Sequence, residues 1–155
     1  MLEKENQVLS ELAGKFDCLS GKGVVPAQRR IFLDVPEEIF PDVLKYARNE
    51  LKFVQLCTIT GLDAGDCFQF IYHIADDEGT LLNLKRSVPK DHAVITSVLD
   101  SYNGAIFYER ELEDLLGVKV EGLPEGRHYP LPDNWPQGQY PQRKDWDPES
   151  LSQIK

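Results

Sequence analysis

Residues 67–74 read Cys67-Phe68-Gln69-Phe70-Ile71-Tyr72-His73-Ile74. Large apolar side chains recur here at every second position, which is the period of a β-strand that buries one face. The face predicted to be buried carries Phe68, Phe70, Tyr72 and Ile74. This strand is the clearest structural signal in the sequence, and its neighbours are assigned from it.

Two further strand-like segments flank this strand. Residues 53–60 precede it across the turn at 61–66, and residues 80–85 follow it after Asp76-Asp77-Glu78-Gly79. Both turns are rich in Gly and Asp, the residue types that reverse a chain. Because short turns of this kind join antiparallel neighbours, the three strands are predicted to form an antiparallel meander.

Helical spacing of apolar residues appears before and after the meander. It predicts an amphipathic helix over residues 2–14 and a helix that starts at Pro36, or is displaced to Pro41. A strand at residues 30–35 lies between these two helices. The fold class is therefore predicted as α+β, with an antiparallel sheet meander packed by helices.

The region after the meander is less regular. Residues 89–103 form an ambiguous connector, whose one candidate element is a short helix around 94–99. Residues 105–116 have a clear apolar stripe and are predicted to be helical. Gly117 stands where a left-handed C-terminal cap belongs.

The composition changes after Gly117. Residues 118–155 hold six of the ten prolines and both tryptophans, and they show no periodicity from which to build a core. The single domain is therefore divided into an α+β body (residues 1–117) and an irregular, Pro/Trp-rich C-terminal arm (residues 118–155).

The arm carries residue types that anchor interfaces, namely Trp135, Tyr140 and Trp146. Its prolines stiffen the backbone, so little conformational entropy is lost when it docks. The same chemistry suits an arm that binds a partner and an arm folded over its own sheet. The sequence leaves both alternatives open.

The helix at 105–116 is densely charged, with Glu109, Arg110, Glu111, Glu113 and Asp114. The last two acids lie in the final turn, where the helix dipole disfavours anions. A cation from the arm or from a partner is therefore expected nearby. The candidates are Arg127, Arg143 and Lys144.

We predict buried or half-buried ion pairs for Arg110 and Asp114, with Arg127 or Arg143 as the partner of the acids. Arginine suits this role because its planar fork grips a carboxylate at two places. The alternative is a solvated helix face whose charge pairs contribute only a few tenths of a kcal/mol.

Several function classes are disfavoured by composition. The net charge of −9 argues against a nucleic-acid partner. No apolar run approaches the roughly 20 residues of a membrane span, and residues 1–5 do not resemble a signal peptide, so we expect a soluble intracellular protein. The three cysteines and three histidines show neither metal-ligand spacing nor a catalytic arrangement. The protein is predicted to bind no metal or cofactor and to have no catalytic site of its own.

An ordered series of residues carries a family resemblance. It runs Glu109-Arg110-Glu111, Asp114, Gly117, Gly122-Leu123-Pro124, Arg127 and Arg143-Lys144-Asp145. With this signature the protein resembles, from about Arg30 to Asp145, the 30 kDa subunit family of respiratory-chain NADH dehydrogenase. That family includes the related subunit of energy-converting membrane-bound NiFe hydrogenases and of formate hydrogenlyase.

The turn and the arm distinguish two branches of the family. The NADH dehydrogenase branch usually reads Gly-His-Pro in both places, whereas this sequence has Gly122-Leu123-Pro124 in the turn and Tyr140-Pro141 in the arm. In this respect it is similar to the energy-converting hydrogenase and formate hydrogenlyase branch. The alternatives are the 30 kDa subunit of NADH:quinone oxidoreductase (respiratory complex I) and a free-standing protein-binding adaptor.

The resemblance implies a non-catalytic peripheral-arm subunit that packs on the large, hydrogenase-like subunit and beside an iron-sulfur subunit. The complex is expected to carry iron-sulfur clusters and either nickel-iron or FMN/NADH, none of them bound by this chain. It implies a cytoplasmic location, peripheral on the inner face of the cell membrane. The residues expected to bind partners or to fix the structure are Glu109, Arg110, Glu111, Asp114, Arg127, Trp135, Tyr140, Arg143, Lys144, Asp145 and Trp146.

Overall fold

The computed structural model describes residues 2–153, so the first residue of the predicted body and the last two of the predicted arm lie outside the described residues. The described helices and strands are, in sequence order, α1 (Glu3–Lys15), β1 (Gly23–Ala27), β2 (Arg30–Asp34), α2 (Phe40–Asn49), β3 (Gln55–Asp63), β4 (Cys67–Ala75), β5 (Leu81–Pro89), β6 (Val94–Thr96), α3 (Ala105–Leu116) and β7 (Lys119–Glu121). Short 3-10 turns occupy Asp17–Leu19, Glu37–Ile39, Lys90–His92 and Pro148–Gln153. The α+β class is confirmed.

Five strands form one sheet in the order β1-β2-β5-β4-β3. β3, β4 and β5 pair antiparallel, which confirms the predicted meander. β2 pairs with β5 in parallel, with Ile31 opposite Leu82, so the sheet is mixed and not wholly antiparallel. The backbone returns to β2 only after α2 and the β3–β4 hairpin, and turn signals between neighbouring strands cannot reveal such a distant pairing.

The predicted face of β4 is buried, and helices cover it. Phe40 of α2 packs on Tyr72 with ring centroids 4.8 Å apart. α3 packs on β3 at Gly61, where an added Cβ would stand 2.6 Å from Leu112. The missing side chain at Gly61 therefore lets the helix approach the sheet closely.

Other predicted elements differ from the structure. The second helix begins at Phe40 with Pro41 in its first turn, as the displaced start predicted. The helix proposed around 94–99 is wrong, because residues 94–96 form β6, which pairs in parallel with β7. β1 was also not predicted, because the glycines before it indicate only a break in the first helix. Both errors concern short strands whose partners lie elsewhere in the sequence.

The helix predicted at 105–116 is confirmed as α3. Gly117 ends it with a φ of +69°, in the left-handed region that favours glycine. The amide of Gly117 donates to the Glu113 carbonyl at 3.0 Å. This cap directs the backbone into β7 and then into the arm.

The helices are too short or too polar to cross a bilayer. Within residues 2–153, none of them combines the length and the apolar character that a membrane span requires.

Candidate functional site

The predicted site residues converge where α3 meets the arm. The arm begins with β7, and from Gly122 to Asp147 it has neither helix nor strand. Its shape therefore depends on side-chain contacts with the body, which begin at the turn after β7 and end at the tip of the β3–β4 hairpin.

Arg110 and Glu113 tie α3 to the start of the arm. Arg110 Nη1 lies 3.0 Å from Glu113 Oε2 in a half-buried ion pair, and Nη2 donates to the Pro124 carbonyl. Glu113 Oε1 accepts the Val120 amide at 3.2 Å. One salt bridge thus connects the helix both to β7 and to the Gly122-Leu123-Pro124 turn.

Asp114 is buried and binds the next part of the arm. Its Oδ1 lies 2.7 Å from His128 Nδ1, and its Oδ2 accepts the Tyr129 amide at 2.8 Å. The prediction that an arginine would meet this acid is wrong. Arg127 is 82% exposed and pairs with Asp133 instead.

Arg143 binds the helix end in another way. Its Nε donates to the Leu116 carbonyl at 2.6 Å, and Nη2 reaches the Gly117 carbonyl at 3.4 Å. Its guanidinium lies over the ring of Tyr140, 4.6 Å from the centroid. A cation at the carbonyl end of α3 is favoured by the helix dipole, so Arg143 caps the helix and not its acids.

Glu109 faces inward and is fully buried. It accepts the Ser97 hydroxyl at 2.6 Å and the Val98 amide at 2.7 Å, which fastens α3 to the segment after β6. Burial raises the pKa of this carboxyl, although the two hydrogen bonds act in the opposite direction. Glu111, on the same helix, is half-buried and makes no side-chain hydrogen bond or ion pair within the described residues. Glu109 is thus a structural residue that no partner can reach.

Lys144 and Asp145 contact the tip of the meander. The Lys144 amide donates to Asp63 Oδ2 at 2.9 Å, and Lys90 Nζ lies 2.7 Å from Asp63 Oδ2 and 3.1 Å from Asp145 Oδ1. Burial raises the pKa of Asp63, but hydrogen bonds from Lys90, Lys144 and Gly65 outweigh it and lower the pKa to about 2. Asp63 and Lys90 were not predicted as site residues. The only signal in the sequence was the place of Asp63 in a turn.

The two tryptophans are half-buried and organise the arm around one glutamine. Trp135 Nε1 donates to the Gln139 backbone carbonyl, and Trp146 Nε1 donates to Gln139 Oε1, both at 2.8 Å. Of the two alternatives left open by the sequence, the structure shows an arm folded against its own body at residues 140–144. A role for it in partner binding stays a prediction.

Two features of this region are open to solvent or to a partner. The first is a cavity of about 710 Å³ between α3 and the arm, whose lining includes Arg110, Asp114, His128, Asp133, Trp135 and Tyr140. The second is an aromatic pair, Phe107 and Tyr129, with ring centroids 5.0 Å apart and 54% and 56% of their surfaces exposed. Large aromatic rings in contact with water are typical of interaction sites.

Potential metal ligands are scattered over the molecule. Among residues 2–153, no cluster of three or more His, Cys, Asp or Glu side chains is arranged to hold a metal ion.

Comparison with known proteins identifies the family. Residues 33–151 match the respiratory-chain NADH dehydrogenase 30 kDa subunit family, and the protein belongs to it. The family expected from the signature residues is therefore confirmed. Its members include subunits of hydrogenase-type and NADH dehydrogenase complexes.

Three relatives illustrate the range of the family. The sequence is 33% identical over 143 residues to the C subunit of the F420H2 dehydrogenase of Methanosarcina mazei, a match that covers 90% of each protein. It is 28% identical over 122 residues to the membrane-bound hydrogenase subunit beta of Pyrococcus furiosus, covering 76% of this protein and 70% of the other. It is 32% identical over 127 residues to the C/D subunit of the NADH-quinone oxidoreductase of Phocaeicola vulgatus, covering 79% of this protein and 24% of the other.

A solved structure shares the architecture. One component of the membrane-bound sulfane sulfur reductase, an archaeal respiratory membrane complex, is 26% identical and superposes with a TM-score of 0.83. The superposition covers 97% of this protein and 89% of the other, so it includes the arm as well as the body.

Proposed function

We propose that this protein is a non-catalytic peripheral-arm subunit of a complex-I-like, membrane-associated redox complex, in which it packs on the large, hydrogenase-like subunit. The observation that carries the proposal is the use made of the signature residues. Glu109, Asp114, Gly117 and Arg143 all bind or cap parts of this same polypeptide. They build a rigid surface and do not surround a reaction centre.

The surface built in this way has the features of a docking site. The exposed pair Phe107 and Tyr129 joins α3 to the arm, beside His128 on the cavity wall. Because the arm is already held by the body, little conformational entropy is lost when a partner binds it. We place the large subunit on this side of the molecule.

The Phocaeicola vulgatus relative supports the large subunit as the partner. The match spans only 24% of that protein, whose name joins the letters C and D in one polypeptide. Two subunits that can be fused in one polypeptide must lie close together in the assembled complex. By the same family argument, an iron-sulfur subunit is the proposed second neighbour.

For the particular complex, we favour an energy-converting NiFe hydrogenase or formate hydrogenlyase. The turn sequence Gly122-Leu123-Pro124 and the Pyrococcus furiosus relative support this choice. A dehydrogenase is the second candidate, either NADH:quinone oxidoreductase or an F420H2 dehydrogenase, because of the match to the Methanosarcina mazei protein. The complex would carry iron-sulfur clusters with nickel-iron or with FMN/NADH, on the cytoplasmic face of the membrane.

Affinity purification of the tagged protein from gently solubilised membranes tests this proposal. We expect a large subunit and cluster-bearing subunits to co-purify, with nickel in the complex if it is a hydrogenase. Flavin and NADH oxidation in place of nickel would favour the dehydrogenase. Recovery of the protein without cluster-bearing or membrane proteins would refute the proposal and favour the free-standing adaptor.

The proposed docking side is best tested with point variants, because Val118 and Val120 are buried and truncation after Gly117 would damage the core. Phe107→Ala combined with Tyr129→Ala removes two exposed rings and should reduce co-purification of the large subunit. Val54→Ala is a matched control, since Val54 is also exposed and lies between α2 and β3. Equal recovery from both variants would contradict docking at the aromatic pair.

A further inference from the structure

We propose that Asp63 is an intramolecular latch, which fastens the arm to the tip of the β3–β4 hairpin and so sets the shape of the arm before any partner binds. The inference goes beyond the proposed function, because it concerns a contact inside this polypeptide. It rests on that function only for its consequence in assembly. Its first test needs no partner, so the two proposals can fail separately.

The Asp63 side chain occupies an unusual position for a hairpin residue. It is 1% exposed, and its carboxylate accepts hydrogen bonds from three directions. Gly65 donates its amide at 2.9 Å, Lys90 its ammonium at 2.7 Å and Lys144 its amide at 2.9 Å. An aspartate that only shapes a turn needs the first of these bonds. The other two come from outside the turn, and one of them comes from the arm.

Lys90 extends the latch to a second residue of the arm. Its ammonium lies between the carboxylates of Asp63 and Asp145, at 2.7 and 3.1 Å. Asp63 therefore binds the arm directly through the Lys144 amide and indirectly through Lys90. Such charge-assisted bonds are stronger than neutral ones, particularly when one partner is shielded from water.

The latch matters because the arm is attached to the body at few places. His128 and Tyr129 bind Asp114 at one end, and residues 140–145 bind the body at the other. Between these anchors, the hydrogen bonds of residues 130–139 all stay within the arm, as far as the structure describes it. This middle segment forms one wall of the 710 Å³ cavity. Loosening the second anchor would free that wall while leaving the body intact.

Asp63→Asn tests the latch in the purified protein, because asparagine has nearly the same shape but no charge to hold Lys90. Both tryptophans lie in the arm, so tryptophan emission reports on the arm alone, whereas far-ultraviolet circular dichroism reports mainly on the body. We expect red-shifted emission, unchanged circular dichroism and at least about tenfold faster tryptic cleavage after Arg143 and Lys144. Asp66→Asn, an exposed change on the same hairpin, should behave as wild type.

A second variant covers the case in which Asp63→Asn does not fold. Asp145→Asn removes only the contact of the arm with Lys90 and should speed cleavage by a smaller factor, with the body intact. Wild-type emission and cleavage in Asp63→Asn would overturn the proposal. So would an unfolded Asp63→Asn together with unchanged cleavage in Asp145→Asn, because Asp63 would then serve the fold as a whole.

Assembly gives the separate readout. Under the proposed function, releasing the arm should lower recovery of the large subunit with Asp63→Asn. If the arm is released in the isolated protein and recovery is unchanged, the latch stands and the proposed role of the arm in assembly fails.

Discussion

Gly117→Ala would place a methyl group at the junction of α3 and the arm. Gly117 has a φ of +69°, and a Cβ built on it would stand 2.5 Å from the ring of Tyr140. Two costs follow. Alanine is strained in the left-handed region, and the Tyr140 ring must move, which disturbs the guanidinium of Arg143 stacked on it.

The size of the effect follows from these two costs. Left-handed backbone costs a non-glycine residue about 1–2 kcal/mol. Forcing a group into a filled space costs about 1–3 kcal/mol more. We therefore expect the free energy of unfolding to fall by about 2–4 kcal/mol, and the Tm to fall by roughly 5–15 °C for a protein of this size.

Thermal unfolding followed by circular dichroism measures the loss, and Gly138→Ala is the matched control. Gly138 also has a positive φ, of +80°, but an added Cβ there has no atom within 4 Å in the described structure. It should show the backbone strain alone. The ring clash is isolated by repeating Gly117→Ala in a Tyr140→Ala background, where its cost should shrink by more than about 1 kcal/mol. Equal losses for both glycine variants, or an unchanged cost in that background, would refute the reasoning.

Three further outcomes are expected. Glu109→Ala strands two buried donors and should cost about 2–4 kcal/mol in chemical denaturation, against under about 0.5 for Glu111→Ala, and similar losses for both would contradict the internal role of Glu109. Arg110→Ala should cost about 1–3 kcal/mol because its side chain is 15% exposed and holds the arm, whereas Arg127→Ala should change stability little, and the reverse order would speak against the assignment. Because the folded-state pKa of Asp63 lies near 2, below its ordinary value of 3.8, its contribution is complete above about pH 4 and is lost as the pH falls towards 2. Tryptophan emission titrated from pH 6 to 2 should change in that window, and a change centred above pH 5 would be inconsistent with it.

Local patterns were sufficient for the longer elements of the fold. The alternation in β4, the stripe of α3 and the glycine after it are each contained within a few consecutive residues. The short strands were different, because three residues such as Val94–Thr96 carry too little pattern to be assigned alone. β6 exists because β7 pairs with it from the far side of α3, and a pairing at that distance leaves no local trace.

The charged site shows a related limit. The helix dipole favours a cation near the acids of α3, and the arginines of the arm were the natural candidates. The arm instead presents His128 to Asp114 and turns its neighbour Arg127 towards water. Successive side chains of an extended segment point to opposite sides, so a shift of one residue decides which of them faces the helix. That choice depends on the path of the whole arm.

The pairing of the signature charges within one polypeptide has a consequence for how the subunit binds. Asp114, Arg110 and Arg143 are all engaged with groups of this same protein, and none of the three is left over to attract a partner by charge. Recognition must then depend on shape and on exposed apolar surface, of which Phe107 and Tyr129 are the largest part near the arm. Changing a signature residue should reduce assembly mainly by deforming that surface or the fold, whereas changing Phe107 should reduce assembly at unchanged stability. A protein built in this way contributes affinity by being rigid before it docks, because the entropy of ordering the arm is already lost on folding.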